Sequence, residues 1–235
     1  MSHEHGTGLS ESPPKGLASG LLPKANRASI LLFLASTCFY WASLYTYVPI
    51  LPVYAQSLGA SLSMVGIVVA SYALPQVVLR VPMGMWSDAL GRRKPLVAAG
   101  IVMTLAGALV MGLAPNPLFL TVGRAVSGTG AAAWVILSVY FIAYYPAQLV
   151  GRAVGLINFV QSAALVVASA GGGLIAQAWG FQYVFFVAAV LGALALVALL
   201  PSVESRPELR SSFAWRDFAR VAGNPHLLAV SGMGI

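Results

Sequence analysis

Charge is scarce in this chain. Of 235 residues only 8% are Asp, Glu, Lys or Arg, where a soluble domain carries about 25%. So few charges cannot build a water-facing surface, and an ordinary soluble fold is excluded. Cysteine is scarcer still. Cys38 stands alone, which removes a disulfide framework and any cysteine-based metal site. The six acids, Glu4, Glu11, Asp88, Glu204, Glu208 and Asp217, all avoid the long apolar stretches, and so does every histidine. An enzyme buried in a membrane needs a base, an acid pair or metal ligands within mutual reach, so that class is excluded too. A proton path through these stretches would lack a titratable Asp, Glu or His. No connecting segment is long or distinctive enough for a selectivity filter, which argues against an ion channel.

What is abundant is apolar sequence, 59% of the chain, gathered in runs. A run of about 18 or more apolar residues reads as a membrane span. Six are expected, at 28–50, 63–86, 95–114, 117–140, 154–178 and 181–200, with links at 51–62, 87–94, 115–116, 141–153 and 179–180. Short links favour an up-and-down helical bundle within the lipid bilayer. Residues 1–27 are polar, mixed in charge and rich in Gly, Ser and Pro, and read as a disordered cytoplasmic tail. His3 and His5 lack further ligands there and read as solvated side chains.

The net charge of +7 invites a nucleic-acid reading, but the basic residues sit in separate links and form no single patch. Their placement instead fixes an expected orientation. Lys15, Lys24 and Arg27 precede the first run; Arg92, Arg93 and Lys94 follow the second; Arg152 follows the fourth; Arg206, Arg210, Arg216 and Arg220 follow the sixth. The three alternate links carry no Lys or Arg. Positive charge marks the cytoplasmic side, so the N-terminus and every even-numbered link are expected inside a plasma or inner membrane. Beyond the sixth run, 201–222 reads as a cytoplasmic loop carrying an interfacial helix, with Trp215, Phe218 and Val221 on one face. Residues 223–235 read as the start of a seventh span cut short. Ala55-Gln56-Ser57-Leu58-Gly59 faintly echoes Ala147-Gln148-Leu149-Val150-Gly151, as inverted repeats would.

The link after the second run reads Gly84-Met85-Trp86-Ser87-Asp88-Ala89-Leu90-Gly91-Arg92-Arg93-Lys94. Gly84 allows a neighbouring helix to approach, Asp88 puts a carboxylate at a span end, and Gly91 permits a tight reversal. Arg92 and Arg93 hold the link in the cytoplasm. In the fourth run Arg124 lies about two helical turns below Pro117, followed by Gly128 and Gly130. An arginine at that depth costs several kcal/mol, of order ~3, unless it faces a cavity or partner.

The first of these segments resembles the signature loop of the major facilitator superfamily, G-x-x-x-D-R-x-G-R-R, with Ala89 where the family usually has a basic residue. Arg124 and its following glycines resemble the family's second motif. Pro49, Pro52 and Gly59 fit P-x-x-P followed by glycine. Gly172-Gly173 is similar to the end of the antiporter motif G-P-x-x-G-G, although Ala168-Ser169 replaces its Gly-Pro.

The resemblance covers residues 28–235 and implies an all-α membrane fold: a six-helix half-bundle of two inverted three-helix repeats. It implies alternating-access transport of a small-molecule substrate, no cofactor, and a second six-helix half as partner. It also implies that spans one, two, four and five line a central cavity. The mid-span candidates for its wall are Tyr40, Trp41, Tyr72, Gln76, Arg80, Arg124, Asn158 and Gln161, each of which could equally serve a helix–helix hydrogen bond. Tyr72, Gln76 and Arg80 share a stripe at i, i+4, i+8. Tyr45 and Tyr47 read as an interfacial aromatic belt. Gly84, Asp88, Gly91, Arg92, Arg93, Gly128 and Gly130 are the conformational candidates. Two intramembrane arginines without a neighbouring acid favour an anionic or neutral amphipathic substrate over a simple cation. The alternatives are a drug/proton antiporter whose coupling acids lie beyond Ile235, and a half-transporter acting as an assembly or regulatory partner.

Overall fold

The computed structural model describes residues 25–204, and every regular element within them is helical. In chain order these are α1 (Arg27–Tyr45), α2 (Leu51–Ser57), α3 (Leu62–Ala70), α4 (Ala73–Leu90), α5 (Lys94–Gly112), α6 (Pro117–Ala131), α7 (Trp134–Ile142), a 3-10 turn (Ala147–Leu149), α8 (Val150–Trp179) and α9 (Phe181–Leu199). They make six helical spans long and apolar enough to cross a membrane. Span one is α1, two is α3 with α4, three is α5, four is α6 with α7, five is α8 and six is α9. The expected fold class, an all-α six-span bundle, is what the chain adopts. The interfacial helix and the seventh span lie outside the described residues.

Local chemistry explains the helix ends. Asn26 accepts the Ser29 N–H at 2.8 Å, and Asn116 accepts those of Leu118 and Phe119 at 3.1 and 3.2 Å. Each thereby satisfies amides that the first helical turn leaves orphaned. Gly91 closes α4 with φ +61°, a conformation that disfavours a Cβ.

Proline accounts for two departures from the expected boundaries. Span one ends at Tyr45, five residues early, because Pro49 has no N–H for the Tyr45 carbonyl one turn back, and the chain restarts as α2 with Pro52 in its first turn. Span two pauses at Ser71–Tyr72 because Pro75 has no N–H for the Ser71 carbonyl one turn back. Span four also pauses, at Ala132–Ala133. Span five starts four residues earlier than expected, at Val150.

Spans three and four form the tightest pair. They run antiparallel with Gly100 facing Gly130 and Gly107 facing Gly123. A Cβ on Gly123 would sit 2.9 Å from the Gly107 carbonyl oxygen, and one on Gly107 would sit 2.6 Å from that of Gly123. Two glycines seven residues apart on each helix therefore let the backbones touch, which is how helices gain packing in lipid. Span one is fastened to span six by hydroxyls, with Ser36 Oγ donating to the Ala195 carbonyl at 2.8 Å and Ser43 Oγ to that of Ala188 at 2.7 Å.

Spans five–six, four–five and one–three touch lightly, and the five extensively packed pairs are three–four, one–six, three–six, one–five and two–four. That set maps onto itself when spans one, two and three are exchanged with four, five and six, the relation a three-span repeat requires. Ala55–Gly59 and Ala147–Gly151, the faint sequence echo, occupy equivalent links leading into spans two and five.

Aromatic residues fill both ends of the bundle. Phe33, Tyr140, Phe141 and Tyr144 cluster at one end with ring centroids 4.8–6.2 Å apart. Tyr47, Tyr54 and Phe185 cluster at the other, with Phe185 5.2 Å from each tyrosine. Burial is uneven. Only 6% of the most apolar stretch of span two and 22% of that of span five is buried, against 56% in span four. Spans two and five thus present apolar surface outward.

Candidate functional site

The site builds from span four outward. Arg124 is 6% exposed, at bilayer depth, and no carboxylate pairs with it among the described residues. Its neighbours are aromatic. The guanidinium carbon lies 4.2 Å from the Tyr72 ring centroid and 5.5 Å from that of Tyr47, and Nη1 donates to the Tyr47 hydroxyl at 3.5 Å. A desolvated guanidinium over an aromatic face is stabilised by about 2 kcal/mol or more. No acid stands beside Arg124 among the described residues, and the partners that hold it are two π faces. Its Nε has no hydrogen-bond partner among the described residues.

Gly128 explains why Tyr72 reaches Arg124. The two share a face at i and i+4. A Cβ at Gly128 would come within 2.9 Å of the Tyr72 carbonyl carbon, so only glycine lets span two settle here. Pro75 breaks span two at this same residue. Arginine, glycine and proline together seat one tyrosine ring.

Tyr47 was missed as a neighbour of this site. It is fully buried, stacked on Phe185 and touching Arg124, so the interfacial belt is corrected for this residue. Span one ends before Tyr47, and the turn that follows folds the ring inward. Tyr40 and Trp41, expected on a cavity wall, are core residues instead. The Tyr40 hydroxyl donates to the Gly130 carbonyl at 3.0 Å, and Trp41 packs edge-on against Trp134 at 4.9 Å. The same carbonyl accepts the Ala133 N–H at 3.1 Å, where span four pauses.

The remaining cavity candidates lie toward the outward faces of spans two and five. Gln76 is half-buried and Arg80 exposed. Asn158 is exposed with its amide donating to the Val154 carbonyl at 2.9 Å, and Gln161 is half-buried. The structure thus brings together Tyr72 and Arg124, and leaves Asn158 and Gln161 on another helix. A separate apolar cavity of about 360 Å³ lies between spans one, five and six, and none of the expected site residues lines it.

The signature loop lies at the basic end of the bundle, the end carrying Arg92, Arg93 and Arg152. Gly84 is half-buried, and Asp88 is exposed with no side-chain hydrogen bond among the described residues. Glu204, just past span six, accepts the backbone N–H groups of Arg93 and Lys94 and so caps span three from 110 residues away. Lys94 Nζ donates to the carbonyls of Leu200 and Ser202 at 2.6 and 2.7 Å, neutralising the end of span six. The Tyr144 hydroxyl donates to the Val203 carbonyl at 2.6 Å, and burial raises its pKa above the ordinary phenol value. Sequence reading placed Glu204 in a plain loop and gave no sign of this stitch. No group of three or more His, Cys, Asp or Glu that could hold a metal exists among the described residues.

An apolar six-span bundle, a glycine-seated arginine in span four and a basic loop between spans two and three define a multi-pass transporter half. The Major Facilitator Superfamily profile matches residues 33–234. The chain belongs to that family of membrane transporters. It is 27% identical over 193 residues to the inner membrane transport protein YajR of Escherichia coli, covering 80% of this chain and 42% of that one. It is 32% identical over 201 residues to a chloramphenicol efflux pump of Mycobacterium tuberculosis, covering 81% and 48%. The crystal structure of the POT family transporter PepTSo matches the fold with a TM-score of 0.71 at 15% identity, over 84% of this chain and 42% of that one. The chain spans less than half the length of these curated relatives.

Proposed function

We propose that this chain forms the N-terminal half of a secondary active transporter that moves a small anionic or neutral amphipathic solute by alternating access. The observation that carries this reading is Arg124, a permanent cation held at membrane depth between aromatic faces with no acid to neutralise it among the described residues. Such a group attracts an anion or an electron-rich dipole and repels a bare cation, by roughly 4 kcal/mol at 4 Å even at an effective dielectric of 20. Relatives named for chloramphenicol efflux, quinolone resistance and multidrug resistance support an exported amphipathic organic molecule. Span five supports the same reading only as a wall, since its mid-span polar groups Asn158 and Gln161 carry no charge.

In this proposal the basic end faces the cytoplasm. Maleimide added from outside intact cells is expected to label a cysteine at position 56 or 116 and to miss one at 93 or 152. Labelling at 93 would invert the assignment.

Asp88 stands exposed at the end of span two, free to meet a helix of the other half. Its role is to stabilise one conformation, not to touch substrate. Asp88→Asn is expected to slow turnover in proteoliposomes several-fold while leaving substrate affinity nearly unchanged. A large loss of affinity at normal turnover would remove Asp88 from the conformational switch.

A further inference from the structure

At the basic end, a cavity of about 510 Å³ opens between the start of span three and the end of span six. Its walls divide by chemistry. Arg92 and Lys94 supply positive charge, whereas Pro95, Ala98, Leu199 and Leu200 supply an apolar side, and Glu204 closes the inner edge. The Glu204 carboxylate is already committed to the Arg93 and Lys94 amides, so the helix terminus itself is not what a ligand would meet. Lys94 uses two of its three protons on the Leu200 and Ser202 carbonyls. Arg92 is exposed and has no partner among the described residues.

The apolar wall continues onto open surface. Leu200, Val197 and Val102 on the same two spans are all exposed. A cationic mouth at the end of two membrane spans, above an exposed apolar track, matches a molecule with an anionic head and a hydrocarbon tail. A soluble phosphate would have no use for the track.

We propose that this cavity binds the phosphodiester headgroup of an anionic phospholipid, with Arg92 and Lys94 holding the phosphate and an acyl chain lying along spans three and six. Basic pockets between spans at the cytoplasmic level are a recognised setting for such headgroups. The lipid would stand beside the stitch joining Lys94 and Glu204 to the end of span six, and so reinforce it.

Native mass spectrometry of the purified chain, exchanged into mixed phosphatidylglycerol and phosphatidylcholine, tests this directly. Retained phosphatidylglycerol is expected to exceed phosphatidylcholine. Arg92→Glu is expected to lower its retention about tenfold, reversing a charge at a surface where one basic residue is worth several-fold in affinity. Arg152→Glu, an equal charge change elsewhere on the basic end, is expected to leave retention within about twofold. Equal losses in the two variants would mean diffuse surface attraction and overturn the site. So would equal retention of the two lipids, or release of phosphatidylglycerol by excess inorganic phosphate alone. Arg92 is exposed, so its replacement is not expected to unfold the bundle, and a melting curve alongside confirms that the variants are comparable.

Discussion

Replacing Gly172 with alanine is expected to destabilise the bundle by about 1–3 kcal/mol, the usual penalty for forcing atoms into a packed contact, while Gly173→Ala is expected to be neutral or to stabilise by up to about 1 kcal/mol through helix propensity. The two glycines are neighbours on span five and look alike in the sequence. A Cβ on Gly172 would fall on the Thr46 carbonyl, within 2.7 Å of its carbon, where span one has just ended and cannot yield without parting from span five. A Cβ on Gly173 meets nothing within 4 Å. Thermal unfolding in detergent, followed by tryptophan fluorescence, separates them. Equal melting temperatures for the two variants would show that spans one and five do not meet as described.

Loss of Arg124 should be the most damaging single change to transport. Arg124→Ala removes the fixed charge and its contacts with Tyr72 and Tyr47. A loss of about 2 kcal/mol from one desolvated cation–π contact corresponds to roughly a 30-fold fall in transport of an anionic or neutral substrate. Arg124→Lys should recover little of it. The ammonium keeps the charge but lacks the flat guanidinium that lies over the Tyr72 ring. Efflux from proteoliposomes, with neutral, anionic and permanently cationic substrates compared side by side, gives the answer. Vigorous export of the permanent cation, indifferent to Arg124→Ala, would refute the electropositive cavity.

Much of the fold could be read in advance because membrane spans announce themselves by composition. The six runs were placed from hydropathy alone, and the structure moves most of their ends by a few residues. The larger errors sit where backbone chemistry overrides hydropathy. Nothing apolar stops at Tyr45, yet the helix does, and Pro75 interrupts span two without altering its character. The site was less accessible. Arg124 was conspicuous, since an arginine in an apolar run demands an explanation. Tyr47 was not, because its inward turn depends on where span one ends. Glu204 was invisible for another reason: its partners lie 110 residues away, and no local pattern encodes a cap donated from so far along the chain. The matching pairs of glycines seven residues apart in spans three and four are a sequence signal of that close contact.

The two serine fastenings of span one have a consequence for biosynthesis. Span one is the first of these helices made and span six the last. While the ribosome is still adding spans two to five, Ser36 and Ser43 sit in the bilayer before the carbonyls of Ala195 and Ala188 exist. A hydroxyl in that position bonds back to the carbonyl four residues earlier in its own helix, as Thr37 still does to Phe33. Completion of span six then lets both serines exchange a local bond for a distant one. The bundle is therefore joined from its beginning to its end, and a nascent chain halted before Ala188 leaves span one without either of its serine bonds to span six.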